Sequence, residues 1–336
     1  MAAESNMSGV SVFTPEHVTE RHLSMSRPRR LLVLAALAGS LSAAVAPAVA
    51  QASYTGSCLP GGQGPQCRFW TGTVPHGGVG DGDTLTVNYE GKSDRVRITG
   101  IQAMEMTTYS SYPGRRRGDC HSVEATNRLE NLVNAAGGRV RIAAQNSNSM
   151  AGHRIRRSLA VLQDGQWVDV GRKLVHEGHT LWLPNDVENA WNTTYSQYSQ
   201  DAAFNGRRLF DRDYCGSGPG SVDQLRMTLN YNAEGDDGEN TNGEYAIIRN
   251  VGSSALSLAG WRFRDSALRW YTFPSGATVP AGKQIVLRMG VGNRTSTTFF
   301  WSQDSPPFEN AGDGGYLFDP KGDLRAWVIY PCRFRC

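Results

Sequence analysis

The chain has 336 residues, 39% of them hydrophobic, with 34 Lys and Arg against 31 Asp and Glu. That length allows more than one domain with its own core, and a net charge of +3 says nothing about partners. No segment beyond residue 50 is long and apolar enough to span a bilayer, which excludes a helical membrane anchor in a mature chain starting at Gln51.

Residues 1–50 read as an N-terminal extension followed by a secretory signal over 25–50. Arg27, Arg29 and Arg30 precede the apolar run 31–38. Gly39, Ser40 and Pro47 break the run, and Ala48-Val49-Ala50 supplies small residues for cleavage before Gln51. Met25 is a natural start for such a segment. The expectation is a secreted protein, in a compartment that suits disulfides among the six cysteines.

Residues 51–69 are rich in Gly, Pro and Gln, hold Cys58 and Cys67, and are expected to form an irregular arm. Over residues 84–89, Leu85, Val87 and Tyr89 alternate with polar neighbours, the period of a half-buried strand. After the turn at 90–93, Val96 and Ile98 continue the pattern on a returning strand, which points Arg97 away from the buried face. Ala125, Leu129, Leu132, Val133 and Ala136 give helical spacing over 124–136, stopped by Gly137-Gly138. Strands are expected over 139–144 and 158–163, a second helix over 168–177, and a third over 187–209 after a cap at Asn185 or Asp186. The sum over 70–215 is a mainly β, α+β domain: a five-stranded barrel of the oligonucleotide-binding type with three helices. Residues 216–222 read as a flexible Gly/Ser linker. From 223 to 336, short alternating segments between Gly, Asn and Asp turns predict an immunoglobulin-like β-sandwich.

The chemistry concentrates in Asp81-Gly82-Asp83-Thr84. Arg97 follows Asp83 by fourteen positions and Glu105 follows by eight more, with Arg157 entering from a later strand. Carboxylates for a cation, guanidinium forks for phosphate and a carboxylate base are the equipment for hydrolysing a phosphodiester. Arg115, Arg116 and Arg117, and Arg154 and Arg156 beside Arg157, form basic clusters suited to tracking phosphates.

In these motifs, in Arg157-Ser158-Leu159-Ala160 and in the helical segment 168–178, residues 71–215 resemble the staphylococcal-nuclease-like (thermonuclease) family. The resemblance implies a calcium-assisted endonuclease acting on DNA and RNA. Carried over by position, Asp83 ligates the cation (Ca2+ or another divalent ion), with Asp81 in or near its shell. Glu105 serves as general base, and Arg97 and Arg157 grip the phosphate. Two stretches depart from the pattern. Gln102 stands where the family has a metal-binding aspartate, bringing a carbonyl oxygen without charge. Ala103 replaces a threonine and keeps only its backbone carbonyl. Ile155-Arg156 replaces the usual Tyr-Gly before the arginine, and Trp182 is a candidate to stack a base in the lost aromatic's place.

His176 and His179 lack the spacing of a zinc-protease helix, and the cysteines lack Cys-x-x-Cys spacing, so zinc is not expected. The expected pairs are Cys58–Cys67, Cys120–Cys215 and Cys332–Cys336. The rival pairing joins the Cys58/Cys67 arm to Cys332/Cys336 and ties the domains together. The expected pairs leave the C-terminal module tethered and mobile. That module resembles the lamin tail domain in Gly243 to Asn250, Leu258 to Trp261, Phe273-Pro274, Pro280 to Gly282 and the stretch from Asn310 to Gly322. This resemblance implies binding or tethering without chemistry, through a ligand the sequence does not name. Two further readings remain: a nucleic-acid-binding or surface-adhesion protein with a catalytically impaired barrel, and a protein whose working part is the C-terminal module.

Overall fold

A computed structural model describes residues 53–62, 64–106, 118–218 and 224–336. The signal segment, Arg115, Arg116 and Arg117, and the centre of the 216–222 linker lie outside the described residues.

In chain order the first part runs β1 (Tyr54–Ser57), β2 (Gln66–Thr73), β3 (Val79–Asp81), β4 (Thr84–Tyr89), β5 (Lys92–Ile98) and β6 (Ile101–Gln102). Helix α1 (Ser122–Ala135) follows, then β7 (Arg139–Ala144), β8 (Met150–Ala151), β9 (Arg154–Gln163) and β10 (Gln166–Asp169). Helix α2 (Val170–His176), β11 (Leu181–Trp182) and α3 (Asn192–Phe204) complete it. Five strands close on themselves in the order β2-β7-β9-β5-β4, with Thr73 of β2 meeting Asn88 of β4. This is the expected barrel.

The sequence periods explain it. Leu85, Val87 and Tyr89 of β4 and Val96 and Ile98 of β5 are all buried, so the alternation puts one face of each strand inside. The turn joining them uses Glu90 and Gly91 at φ 47° and 75°, the positive-φ pair that matches strand twist in a tight hairpin. Helix α1 buries Ala125, Leu129, Leu132 and Val133 and ends at Gly137 and Gly138, φ 61° and 76°. Helix α2 starts at an N-cap, Asp169 Oδ1 accepting the Arg172 amide at 2.9 Å.

Three elements differ from the sequence expectations. The Cys58/Cys67 arm is not irregular throughout: β1 pairs antiparallel with β2. Strand β9 starts at Arg154 and not at 158, since its first residues pair in parallel with β5. The third helix begins at Asn192, because Asn185 Oδ1 accepts the Val187 and Glu188 amides and caps a separate short turn first.

The second part contains β12 (Leu225–Asn230), β13 (Tyr245–Asn250), β14 (Leu256–Ser257), β15 (Arg262–Asp265) and β16 (Trp270–Thr272). It continues with β17 (Thr278–Val279), β18 (Gln284–Arg288), β19 (Thr298–Phe300), β20 (Asp313–Phe318) and β21 (Leu324–Tyr330). Two four-stranded sheets, β12-β13-β18-β19 and β16-β15-β20-β21, enclose a core holding Ile248, Trp261, Phe263 and Leu287. This is the immunoglobulin-like sandwich.

The two parts share a core, which corrects the picture of a mobile, tethered module. Tyr316, Phe318, Leu324 and Ile329 of the sandwich belong to the same apolar cluster as the barrel's Val87 and Leu129. The Gly/Ser composition of the linker reads as flexible, yet Asp323 accepts the backbone amides of Cys215 and Ser217 at 2.6 and 2.9 Å. Gln200 of α3 donates to the Pro331 carbonyl at 2.8 Å. The disulfides are Cys58–Cys67, Cys120–Cys215 and Cys332–Cys336, as the sequence suggested, so the docking is noncovalent. Among the described residues no helix is long and apolar enough to cross a membrane.

Candidate functional site

Strands β4, β5 and β9 lie side by side, and the site sits on their outer face. The loop before β4 packs so closely that a Cβ on Gly82 would come within 2.7 Å of the Ala103 side chain and 2.8 Å of Ala125. Only glycine fits between Asp81 and Asp83, and that contact anchors the acidic turn against α1. Asp83 is 2% exposed and fully engaged. Its Oδ1 accepts from the Thr84 hydroxyl at 3.0 Å and pairs with Arg97 Nη1, and its Oδ2 accepts the Ala103 amide at 2.7 Å. Asp81 Oδ1 accepts the Asp83 amide at 3.0 Å.

Gln102 links the arginine to the acid that follows. A guanidinium only donates, so the Gln102 carbonyl oxygen faces Arg97 Nη2, at 2.5 Å. Its amide nitrogen then points to the Ala103 carbonyl at 3.1 Å and to Glu105 Oε1 at 3.4 Å. Burial lowers the Arg97 pKa to about 10, helped by the neighbouring Arg154 and opposed by Asp81 and Glu105, so it stays charged at neutral pH. Burial, and then the charge of Asp81, raise the Glu105 pKa above the ordinary carboxylate value against the pull of Arg97. A carboxyl moved in that direction is a better proton acceptor near neutral pH.

The parallel register of β5 and β9 sets Arg97 beside Arg156 on the same face. Arg154, two residues earlier, shares that face and donates to Thr84 Oγ1 at 2.9 Å. A hollow of about 200 Å³ opens here, lined by Arg97, Gln102, Glu105, Arg154, Arg156 and Asn185 among others. A larger one, about 390 Å³, lies at the β4–β5 turn around Tyr89 and Lys92 and has no carboxylate in its lining.

Of the expected site residues, Arg97, Gln102, Glu105, Arg154 and Arg156 meet in this hollow, with Asp81, Asp83 and Ala103 just behind. Arg157 does not join them. Side chains alternate along a strand, and Leu159 and Val161 face the barrel interior, so Arg157 faces inward with them. It donates to the Arg156 and Ser147 carbonyls at 2.6 and 2.8 Å and lies 5.0 Å from the Trp70 ring. Arg156 occupies the place expected of Arg157. Trp182 is 2% exposed and part of the apolar core, so no base can stack on it. Asn185 is an addition; the sequence had marked it only as a helix cap.

The donor set does not fit a calcium shell. Calcium takes six to eight oxygens, yet both Asp83 oxygens, the Gln102 oxygen and the Ala103 carbonyl already accept hydrogen bonds or an ion pair within the protein. Among the described residues no cluster of three or more His, Cys, Asp or Glu is arranged to hold a metal ion. Arg97 puts a fixed positive charge where a cation would sit against Asp83.

A second polar cluster went unnoticed in the sequence. His121 Nε2 and His179 Nδ1 lie 3.2 Å apart in a buried pocket beside the Tyr214 ring. Burial holds their pKa values down, to about 3 and about 4, so both are neutral.

The C-terminal sandwich is decided by comparison. Residues 228–332 match the Lamin Tail Domain family model. The lamin tail domain thus covers nearly all the strands from β12 to β21. No curated protein matches the chain.

Proposed function

We propose that the barrel binds nucleic acid and hydrolyses its phosphodiester bonds, as a secreted nuclease with a docked lamin tail domain. The observation that carries this reading is the convergence of three arginines and one raised-pKa carboxyl on a single small hollow. In this reading the guanidinium groups of Arg97, Arg154 and Arg156 hold the phosphate oxygens and offset the charge that builds on them during attack. Glu105 accepts a proton from the attacking water, while the Gln102 amide fixes the carboxylate's orientation. The three disulfides and the absence of a membrane-spanning helix among the described residues are compatible with export. No step is assigned to a cation, because the donor oxygens are already engaged.

One observation favours a second reading, a barrel that binds nucleic acid without cutting it: Gln102 and Arg97 together occupy the groups a metal would need. Incubating the purified protein with DNA and RNA in calcium, in other divalent ions or in chelator separates the two. Strand breakage supports the nuclease. Retention of the substrate without breakage in every condition supports the binding protein and overturns the proposal.

A further inference from the structure

The tail domain reaches the segment that carries Glu105 through two arginines of β15; Arg262 stands off, its Nη1 3.9 Å from Asp119 Oδ1, and Arg264 makes the close contact. Arg264 on β15 is 4% exposed, and its guanidinium forks onto Asp119 with Nη1 to Oδ2 and Nη2 to Oδ1, both at 3.0 Å. The same Nη1 lies 3.7 Å from Met104 Sδ, and Phe318 packs beneath the fork at 5.2 Å. Both partners flank Glu105. Met104 precedes it in the chain, and the Asp119 amide donates to the Glu105 carbonyl at 2.8 Å. Ser122 at the start of α1 ties Asp119 down from the other side, its hydroxyl donating to the Asp119 carbonyl at 2.7 Å. A side chain on Gly118 would collide with the Met106 carbonyl, so the chain segments on either side of residues 107–117 run in contact.

Domain docking does not account for this contact by itself. The shared core and the bonds from Asp323 and Gln200 hold the tail domain elsewhere. A bidentate arginine–carboxylate pair adds direction to attraction, because two parallel hydrogen bonds fix the plane of both groups. Here that plane is carried by the backbone of Asp119 to the residue holding the carboxyl.

We propose that Arg264 of the lamin tail domain is a positioning residue for Glu105, acting through the Arg264–Asp119–Glu105 clamp, so that the tail domain completes the barrel's site. This rests on Glu105 being the base of the proposed hydrolysis. The barrel would then be a poor catalyst without its tail, although every phosphate-binding group lies on the barrel.

The test uses the full chain with Arg264→Met and Arg264→Lys, reading cleavage kinetics on a DNA oligonucleotide and hydrogen exchange of the Asp119 amide. Lysine keeps the charge and loses the fork. A displacement of ~1 Å at a reacting group can cost ~100-fold, so both variants should lose at least about tenfold in kcat with KM within about twofold. The Asp119 amide should exchange faster while the amides of β7 stay protected. A folded variant with wild-type kcat overturns the proposal, as does a loss in which kcat, KM and β7 protection all change together. Should Arg264→Met not fold, Arg264→Lys carries the test. A wild-type protein that cleaves nothing defeats the hydrolysis reading alone. The exchange measurement then judges the clamp, and unchanged Asp119 exchange in Arg264→Lys overturns it.

Discussion

Replacing Arg156 and Arg157 in turn probes the site at single-residue resolution. The two are neighbours on β9 with opposite fates: Arg156 lines the hollow, and Arg157 points into the barrel. For Arg156→Gln the loss is one guanidinium on the phosphate. A hydrogen bond to a charged group contributes about 1.5–3 kcal/mol, which corresponds to roughly 10- to 100-fold in kcat/KM, with little change in stability. For Arg157→Met the guanidinium over the Trp70 ring and its two bonds to the Arg156 and Ser147 carbonyls are lost. Bonds to a charged group contribute about 1.5–3 kcal/mol each, so the pair is worth about 3–6 kcal/mol. Burial lowers the Arg157 pKa and disfavours its charge, which places the cost at the low end of that range, about 3 kcal/mol. Urea unfolding and oligonucleotide cleavage on both variants check the pair. Arg157→Met should be destabilised with kcat/KM nearly intact. The reasoning is refuted if Arg157→Met loses cleavage at full stability while Arg156→Gln keeps it.

Two further outcomes are expected. Gln102→Asp keeps an acceptor for Arg97 but loses the amide donor that faces Glu105, so kcat on an oligonucleotide should fall by about tenfold; an unchanged kcat would remove the Gln102 amide from the positioning of Glu105. The His121–His179 pair should make the fold acid-sensitive. Their folded pKa values, about 3 and about 4, lie below the unfolded value of ~6.5, so the unfolded chain binds more protons between those limits. Stability is therefore full above pH ~6.5 and falls as pH drops toward 4, by at least about 2 kcal/mol. His179→Gln should flatten that slope in urea unfolding at pH 7, 5.5 and 4.5 on the ~6.5 and ~4 limits above, and an unchanged slope would show that the pair is not its source.

Much of the fold was legible because single periods dominate single elements. Leu85, Val87 and Tyr89, then Val96 and Ile98, announce a hairpin, and the face opposite them places Arg97 correctly. The same rule carried back from Leu159 and Val161 would have turned Arg157 inward. It was obscured because a charged residue takes an apolar position there, and a one-residue shift moves a whole strand's side chains to the other face. Trp182 was ambiguous for a different reason: a tryptophan suits a core or a stacking surface equally, and only its pairing on the short β11 strand against Ile101 decides. The docking of the tail domain depends on Asp323 and Gln200, single polar residues far along the chain from their partners. Local composition carries no trace of such contacts, so the Gly/Ser segment read as a free tether.

The central claim is that Glu105 takes a proton in a bond-breaking step, and single-turnover cleavage by wild type and Glu105→Gln tests it most directly. The amide keeps the size and loses the basicity. Cleavage of a labelled oligonucleotide should slow by about 100-fold or more while binding, measured in parallel by fluorescence anisotropy, stays within about twofold. Equal cleavage rates for the two proteins would contradict the account.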